Sequence, residues 1–74
     1  MDANEVARLQ DYLRTKFALP SLTVRERPNK DDSAEVYLGE EFIGVIFKDD
    51  EEGDVSYDFN MAILEIDLPE RPAS

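Results

Sequence analysis

Val6, Leu9, Leu13 and Phe17 recur at the i, i+3, i+7, i+11 spacing that places them on one stripe of an α-helix. Asp2 stands ahead of them, with Glu5 at the interval of a capping box, in which each acid accepts from the other's backbone amide. The pattern predicts one helix from about Ala3 to Phe17, stopped by Pro20. Glu5, Arg8, Asp11 and Arg14 alternate in sign on its other faces and form a solvated surface.

From Leu22 the period changes to two. Leu22, Val24 and Glu26 alternate with Thr23, Arg25 and Arg27 as a first strand, which Pro28 ends, and residues 28–33 are dense in turn formers and read as an exposed loop. In a second strand Ala34, Val36 and Leu38 face one way and Glu35 and Tyr37 the other. Gly39-Glu40 then has the Gly-X form of a type II′ hairpin turn. Strand three, Glu41 to Lys48, is apolar on both faces, with Ile43, Val45 and Phe47 on one and Phe42, Gly44 and Ile46 on the other. After the acidic loop of residues 49–54, Val55, Tyr57, Phe59 and Met61 alternate as strand four. The phase slips at Ala62, and of two readings, one helical turn or a β-bulge leading into a short last strand, the pattern favours the bulge. The expected architecture is α+β in two layers: a single N-terminal helix packed on a four-stranded, or five-stranded, antiparallel sheet. One domain spans residues 1–68, and residues 69–74 form a frayed polar tail.

Composition narrows what such a domain can do. The 74 residues carry 18 Asp and Glu against 8 Lys and Arg, a net charge of −10, with no Cys, His or Trp. A disulfide scaffold, a Cys/His zinc site, a thiol nucleophile and a histidine-based triad are excluded. A chain this short buries roughly 60% of the surface its unfolded form exposes, so self-association is a natural source of further stability. No basic segment leads into an apolar run and no stretch is long enough to cross a bilayer, so the expected location is the cytoplasm, with no membrane partner. The charge is uneven. Residues 1–30 hold six basic and four acidic side chains, whereas residues 31–74 hold two basic and fourteen acidic ones.

The runs Lys30-Asp31-Asp32-Ser33-Ala34-Glu35-Val36-Tyr37, Gly39-Glu40-Glu41-Phe42-Ile43-Gly44-Val45 and Asp58-Phe59-Asn60-Met61-Ala62-Ile63-Leu64-Glu65-Ile66-Asp67-Leu68 resemble a small alphaproteobacterial family, Domain of Unknown Function family 3126. The resemblance covers nearly the whole chain. It implies a free-standing, cytoplasmic bacterial protein and brings no activity, ligand or catalytic residue with it.

Candidate chemistry divides by residue type. Asp49, Asp50, Glu52 and Asp54 suggest a weak Mg²⁺ or Ca²⁺ site, because hard cations take clustered carboxylate oxygens. An EF-hand frame starting at Asp50 fails, since Val55 stands where the turn needs Gly and Met61 where the bidentate Glu belongs. Solvated charge is the plainer reading of this loop. An enzyme would be confined to Asp, Glu, Tyr, Lys or Arg; Asp58, bracketed by Tyr57 and Phe59, reads as a surface acid on a half-buried strand. Nucleic acid is not expected as a direct ligand, because a −10 chain repels phosphate. No cofactor and no small-molecule substrate is indicated. The strongest clue is apolar: one helix covers one sheet face, and strand three has two apolar faces. The expected function is a non-enzymatic protein-interaction or regulatory module, binding an unknown protein or a second copy through Tyr37, Phe42 and Ile46. Arg25 and Arg27 would orient the partner, unless Glu35 on the neighbouring strand takes them up.

Overall fold

The computed structural model describes residues 1–51 and 53–72. Helix α1 (Ala3–Phe17) starts as its sequence dictates: the Glu5 amide donates to Asp2 Oδ1 at 2.8 Å, and the Asp2 amide donates to Glu5 Oε1 at 3.3 Å. It closes at Ala18, whose φ of 54° lies in the left-handed region, with the Leu19 amide returning to the Arg14 carbonyl at 3.1 Å. Glycine is the usual residue at such a cap, since a Cβ is strained there. Val6 and Leu13 are buried and Leu9 packs against them, but Phe17 is left exposed at the point where the cap carries the chain away.

Four antiparallel strands follow in chain order, β1 (Leu22–Arg27), β2 (Lys30–Leu38), β3 (Glu41–Asp49) and β4 (Ser56–Asn60). With α1 laid chiefly over β1, they form the expected two-layer α+β fold. The expected loop of residues 28–33 contracts to Pro28-Asn29. Arg27 pairs with Lys30 across it, and Asn29 has a φ of 67°. Proline's fixed φ at the first central position and a positive φ at the second make a type II turn, so residues 30–33 extend β2. The Gly39-Glu40 turn joins Leu38 to Glu41, with positive φ at Gly39 alone, as a Gly-X hairpin requires.

Between β2 and β3 the register slips by one residue. Val36 pairs with Gly44 but Tyr37 with Phe42, leaving Ile43 as a bulge. The expected strict alternation of β3 is therefore broken. Gly44 and Ile46 face the helix, whereas Phe42, displaced by one position, shares the outer face with Val45 and Phe47. Gly44 is required where it stands. A Cβ there would lie 2.5 Å from the Asn60 carbonyl oxygen and 2.6 Å from the Phe59 ring, both on β4. The core gathers between α1 and the inner sheet face from Val6, Leu13, Leu22, Val24, Ala34, Val36 and Ile46.

No fifth strand forms from residues 62–68. Residues 61–64 are irregular and Glu65–Asp67 make a single 3-10 turn. The Asp67 and Leu68 amides donate to the Leu64 and Glu65 carbonyls at 2.9 and 3.0 Å, and the Leu64 amide donates to Asp67 Oδ2 at 3.3 Å. Backbone groups that a strand would offer β4 are thus engaged locally. At the opposite side of the sheet, the Arg14 Nε donates to the Leu22 carbonyl at 2.7 Å, and the Val24 amide donates to Gln10 Oε1 at 3.1 Å. Side chains of α1 thereby occupy the free edge of β1.

Two substitutions test these backbone assignments by urea unfolding. Ala18→Gly relieves the left-handed cap and should stabilise the protein by about 1 kcal/mol. Gly44→Ala forces β4 away from β3 and should destabilise it by about 1–3 kcal/mol.

Candidate interaction surface

On the helix side, Glu5 ties the two layers together. Its Oε2 accepts from Lys48 Nζ of β3 at 2.7 Å and from the Tyr57 hydroxyl of β4 at 2.7 Å. The Lys48 and Tyr57 hydrogen bonds hold the Glu5 carboxyl down to about 2. The same bond from Glu5 raises Lys48, and for Tyr57 the bond to Glu5 and then burial raise the hydroxyl. The carboxylate is thereby held ionised and the amine protonated, and the cluster anchors α1 over β3 and β4. Beside it runs a shallow apolar groove of about 360 Å³ between α1 and β4, lined by Leu9, Tyr12, Leu13, Ile46, Tyr57 and Phe59 with Glu5 and Arg8 at its rim.

Among the described residues no α-helix lies on the outer sheet face. Arg25 of β1 lies 3.9 Å from the centroid of the Tyr37 ring in a cation–π stack, and the Tyr37 and Phe42 rings meet edge to face at 5.7 Å. Glu35, the cross-strand partner of Arg25, accepts from the Tyr37 hydroxyl at 3.1 Å, and Arg27 donates to Ser33 Oγ at 3.2 Å. Among the described residues the one ion pair is Lys48–Glu5. The arginines, expected to meet Glu35 if they were structural, are instead held by an aromatic ring and a hydroxyl.

Four of the five residues singled out from the sequence, Arg25, Arg27, Tyr37 and Phe42, come together on this face. Ile46 does not. It is 1% exposed beneath α1, because the bulge at Ile43 reverses the side on which Phe42 lies relative to Ile46. Its place outside is taken by Val45 and Phe47, and Phe42 and Phe47 are 51% and 43% exposed. The C-terminal segment adjoins the same face. A groove of about 670 Å³ runs between β3 and this segment, lined by Phe42, Val45 and Phe47 on one side and by Met61, Ala62 and Leu64 on the other. Met61, Ile63, Leu64, Ile66 and Leu68 are all exposed, Ile66 to 88%. The short last strand expected from this stretch does not anticipate such an exposed segment. Its only sequence signal is the phase slip at Ala62, which removes the alternation a paired strand would need.

In the acidic loop, Asp49 Oδ1 accepts from the Glu51 amide at 3.1 Å, a turn bond that occupies one carboxylate oxygen. Asp50 and Asp54 are exposed, and Glu52 lies outside the described residues. Among the described residues no group of three or more Asp or Glu converges as metal ligands would. Nor is any described helix long and apolar enough to cross a membrane.

A family model described as "Protein of unknown function (DUF3126)" matches residues 5–67 of the chain. Neither a curated protein nor a solved structure gives a match.

The Glu5 tie predicts a specific pH dependence. Because folding depresses the Glu5 carboxyl from 4.5 to about 2, its contribution is present in full above pH 4.5 and is lost as pH falls towards 2. Glu5→Gln should therefore lower the urea midpoint near neutral pH, and the gap between wild type and variant should close as the pH approaches 2. A gap that stays constant across that range would show that Glu5 is not held ionised by the fold.

Proposed function

The chain belongs to the DUF3126 family, whose description carries no activity, and we propose on that premise that it is a non-enzymatic protein-interaction or regulatory module. The observation that supports this reading is the apolar groove walled by Phe42, Val45 and Phe47 of β3 and by Met61, Ala62 and Leu64 of the C-terminal segment, a segment in which Ile63, Ile66 and Leu68 are exposed as well. Isolated exposed apolar residues are ordinary on a protein surface; a connected patch bordered by charge is the signature of a surface that is covered in use. Aromatic residues and arginine, the types gathered around Tyr37, are those enriched where proteins meet. The acidic residues at the rim, among them Glu65, Asp67 and the loop at Asp49, add electrostatic orientation to an apolar contact. Cytoplasmic location in a bacterial cell is part of the same proposal, and it suits a binding module that works on another soluble protein.

The test is capture from native lysate with the tagged chain and with a Phe42→Ser/Phe47→Ser variant whose circular dichroism matches wild type. The expected outcome is a bound protein, the untagged chain itself included, that survives high salt with wild type and is lost with the variant. Identical capture by both, or capture by neither, counts against an apolar interaction surface.

A further inference from the structure

Among the described residues β4 pairs with β3 alone, and no backbone hydrogen bond joins it to any other segment. Alternate residues of such an edge strand turn their amides and carbonyls outwards, at the spacing that another extended backbone matches. The opposite edge differs: Gln10 and Arg14 bond to the backbone of β1, and Leu22 and Val24 are buried beneath α1. Because α1 lies chiefly over β1, Tyr57 and Phe59 on the inner face of β4 are only half-buried. The groove of about 360 Å³ between them and Leu9, Tyr12 and Leu13 of α1 therefore opens beside the unpaired edge. Free backbone groups and an apolar cleft coincide there.

We propose that β4 and this groove bind an extended segment of another protein as a fifth strand, with apolar side chains opposite Tyr57 and Phe59 and a Lys or Arg opposite Asp58 between them. The alternation follows from the period of a strand: residues opposite Tyr57 and Phe59 enter the groove, and the one between them emerges on the outer face beside Asp58. Charge assigns the two sides. Asp58 is exposed and has no basic partner among the described residues, so a cation directly across from it is favoured. On the groove side Glu5 is taken up by Lys48 and Tyr57, which leaves Arg8 at the rim with no ion-pair partner among the described residues and disfavours a second cation there. The pattern reads the same in either chain direction. Two nearer occupants fit less well. The chain's own C-terminal segment leaves β4 at Asn60 to line the groove against β3, and its amides bond within its own turn. A second copy of β4 has the aromatic alternation but the wrong sign, since the antiparallel register that overlaps Ser56–Asn60 fully sets Asp58 on Asp58. The site lies apart from the outer sheet face and does not depend on the reading of that face.

The test is an NMR titration of the isotope-labelled full chain with an end-capped peptide, Ser-Thr-Val-Lys-Val-Thr-Ser, up to millimolar concentration. The expected result is a set of saturable shifts at the amides of Ser56–Asn60 and of Leu9 and Tyr12, with the amides of β1 unmoved. Glu in place of the central Lys should weaken binding roughly fivefold or more, and Asp58→Lys should reverse that order. Tyr12→Ser, at a position already 59% exposed, should weaken binding from the groove side without disturbing the fold. A copy of the peptide methylated at every backbone amide should not bind. Absence of saturable shifts overturns the proposal, as do shifts centred on Phe42 and Phe47 instead, equal binding of the Lys and Glu peptides, or undiminished binding of the methylated copy. None of these outcomes bears on the capture that depends on Phe42 and Phe47, so the two readings fail separately.

Discussion

One inserted residue governs how this small sheet presents itself. Side chains alternate along a strand with a period of two, so the bulge at Ile43 turns every position on its N-terminal side to the opposite face from strict alternation. It lets Gly44 and Ile46 serve the core while Phe42 joins Tyr37 outside. Without it, Phe42 would lie on the helix side with Ile46, and the outer face would lose the aromatic pair that anchors Arg25. Gly44 belongs to the same device. By carrying no side chain it lets the Phe59 ring and the Asn60 carbonyl come close to β3 next to the bulge. The contents of the core and of the outer surface thus trace back to residues 42–44 of β3.

Elements were legible in the sequence wherever one local signal dominates. The capping box at Asp2 and Glu5, the apolar stripe of α1 and the Gly39-Glu40 turn each carry their geometry in a few neighbouring residues. The span of residues 28–33 was harder, because Asn29, Asp31, Asp32 and Ser33 are turn formers by composition while only Pro28-Asn29 turns. Once that turn brings Lys30 opposite Arg27, the chain runs through an irregularity at which Asp31, Asp32 and Ser33 have no partner on β1, and Ser33 is taken up by pairing with Phe47 of β3. Tertiary pairing here outweighs a local preference worth little.

The candidate surface was legible in part for a related reason. Arg25, Tyr37 and Phe42 could be assigned to an exposed face, since the excess of apolar character on β3 over what one helix can cover is countable from residue types. Ile46 and Phe47 exchanged roles, because that assignment depends on the register across a strand pair. Gly44 was the one available hint, as a glycine inside a strand often marks a bulge or a close approach. The C-terminal segment was opaque for a different reason. Its apolar residues resemble those of a strand awaiting a partner, and hydrogen bonds within its own turn decide the matter.

Gln10 and Arg14, in bonding to the backbone of Val24 and Leu22, also give the sheet a direction. A sheet with two open edges can add copies without limit, and a chain rich in exposed apolar residues would then be at risk of forming fibres. Here one edge is already occupied by side chains of the helix above it, so strand-to-strand addition is confined to the side of β4. A ribbon of copies joined β1 to β4 needs both edges of every copy, so an occupied β1 is enough to forbid it. The helix therefore acts as a chain terminator as well as a cover for the core, allowing a sticky surface to exist on a protein this small without committing it to polymerise.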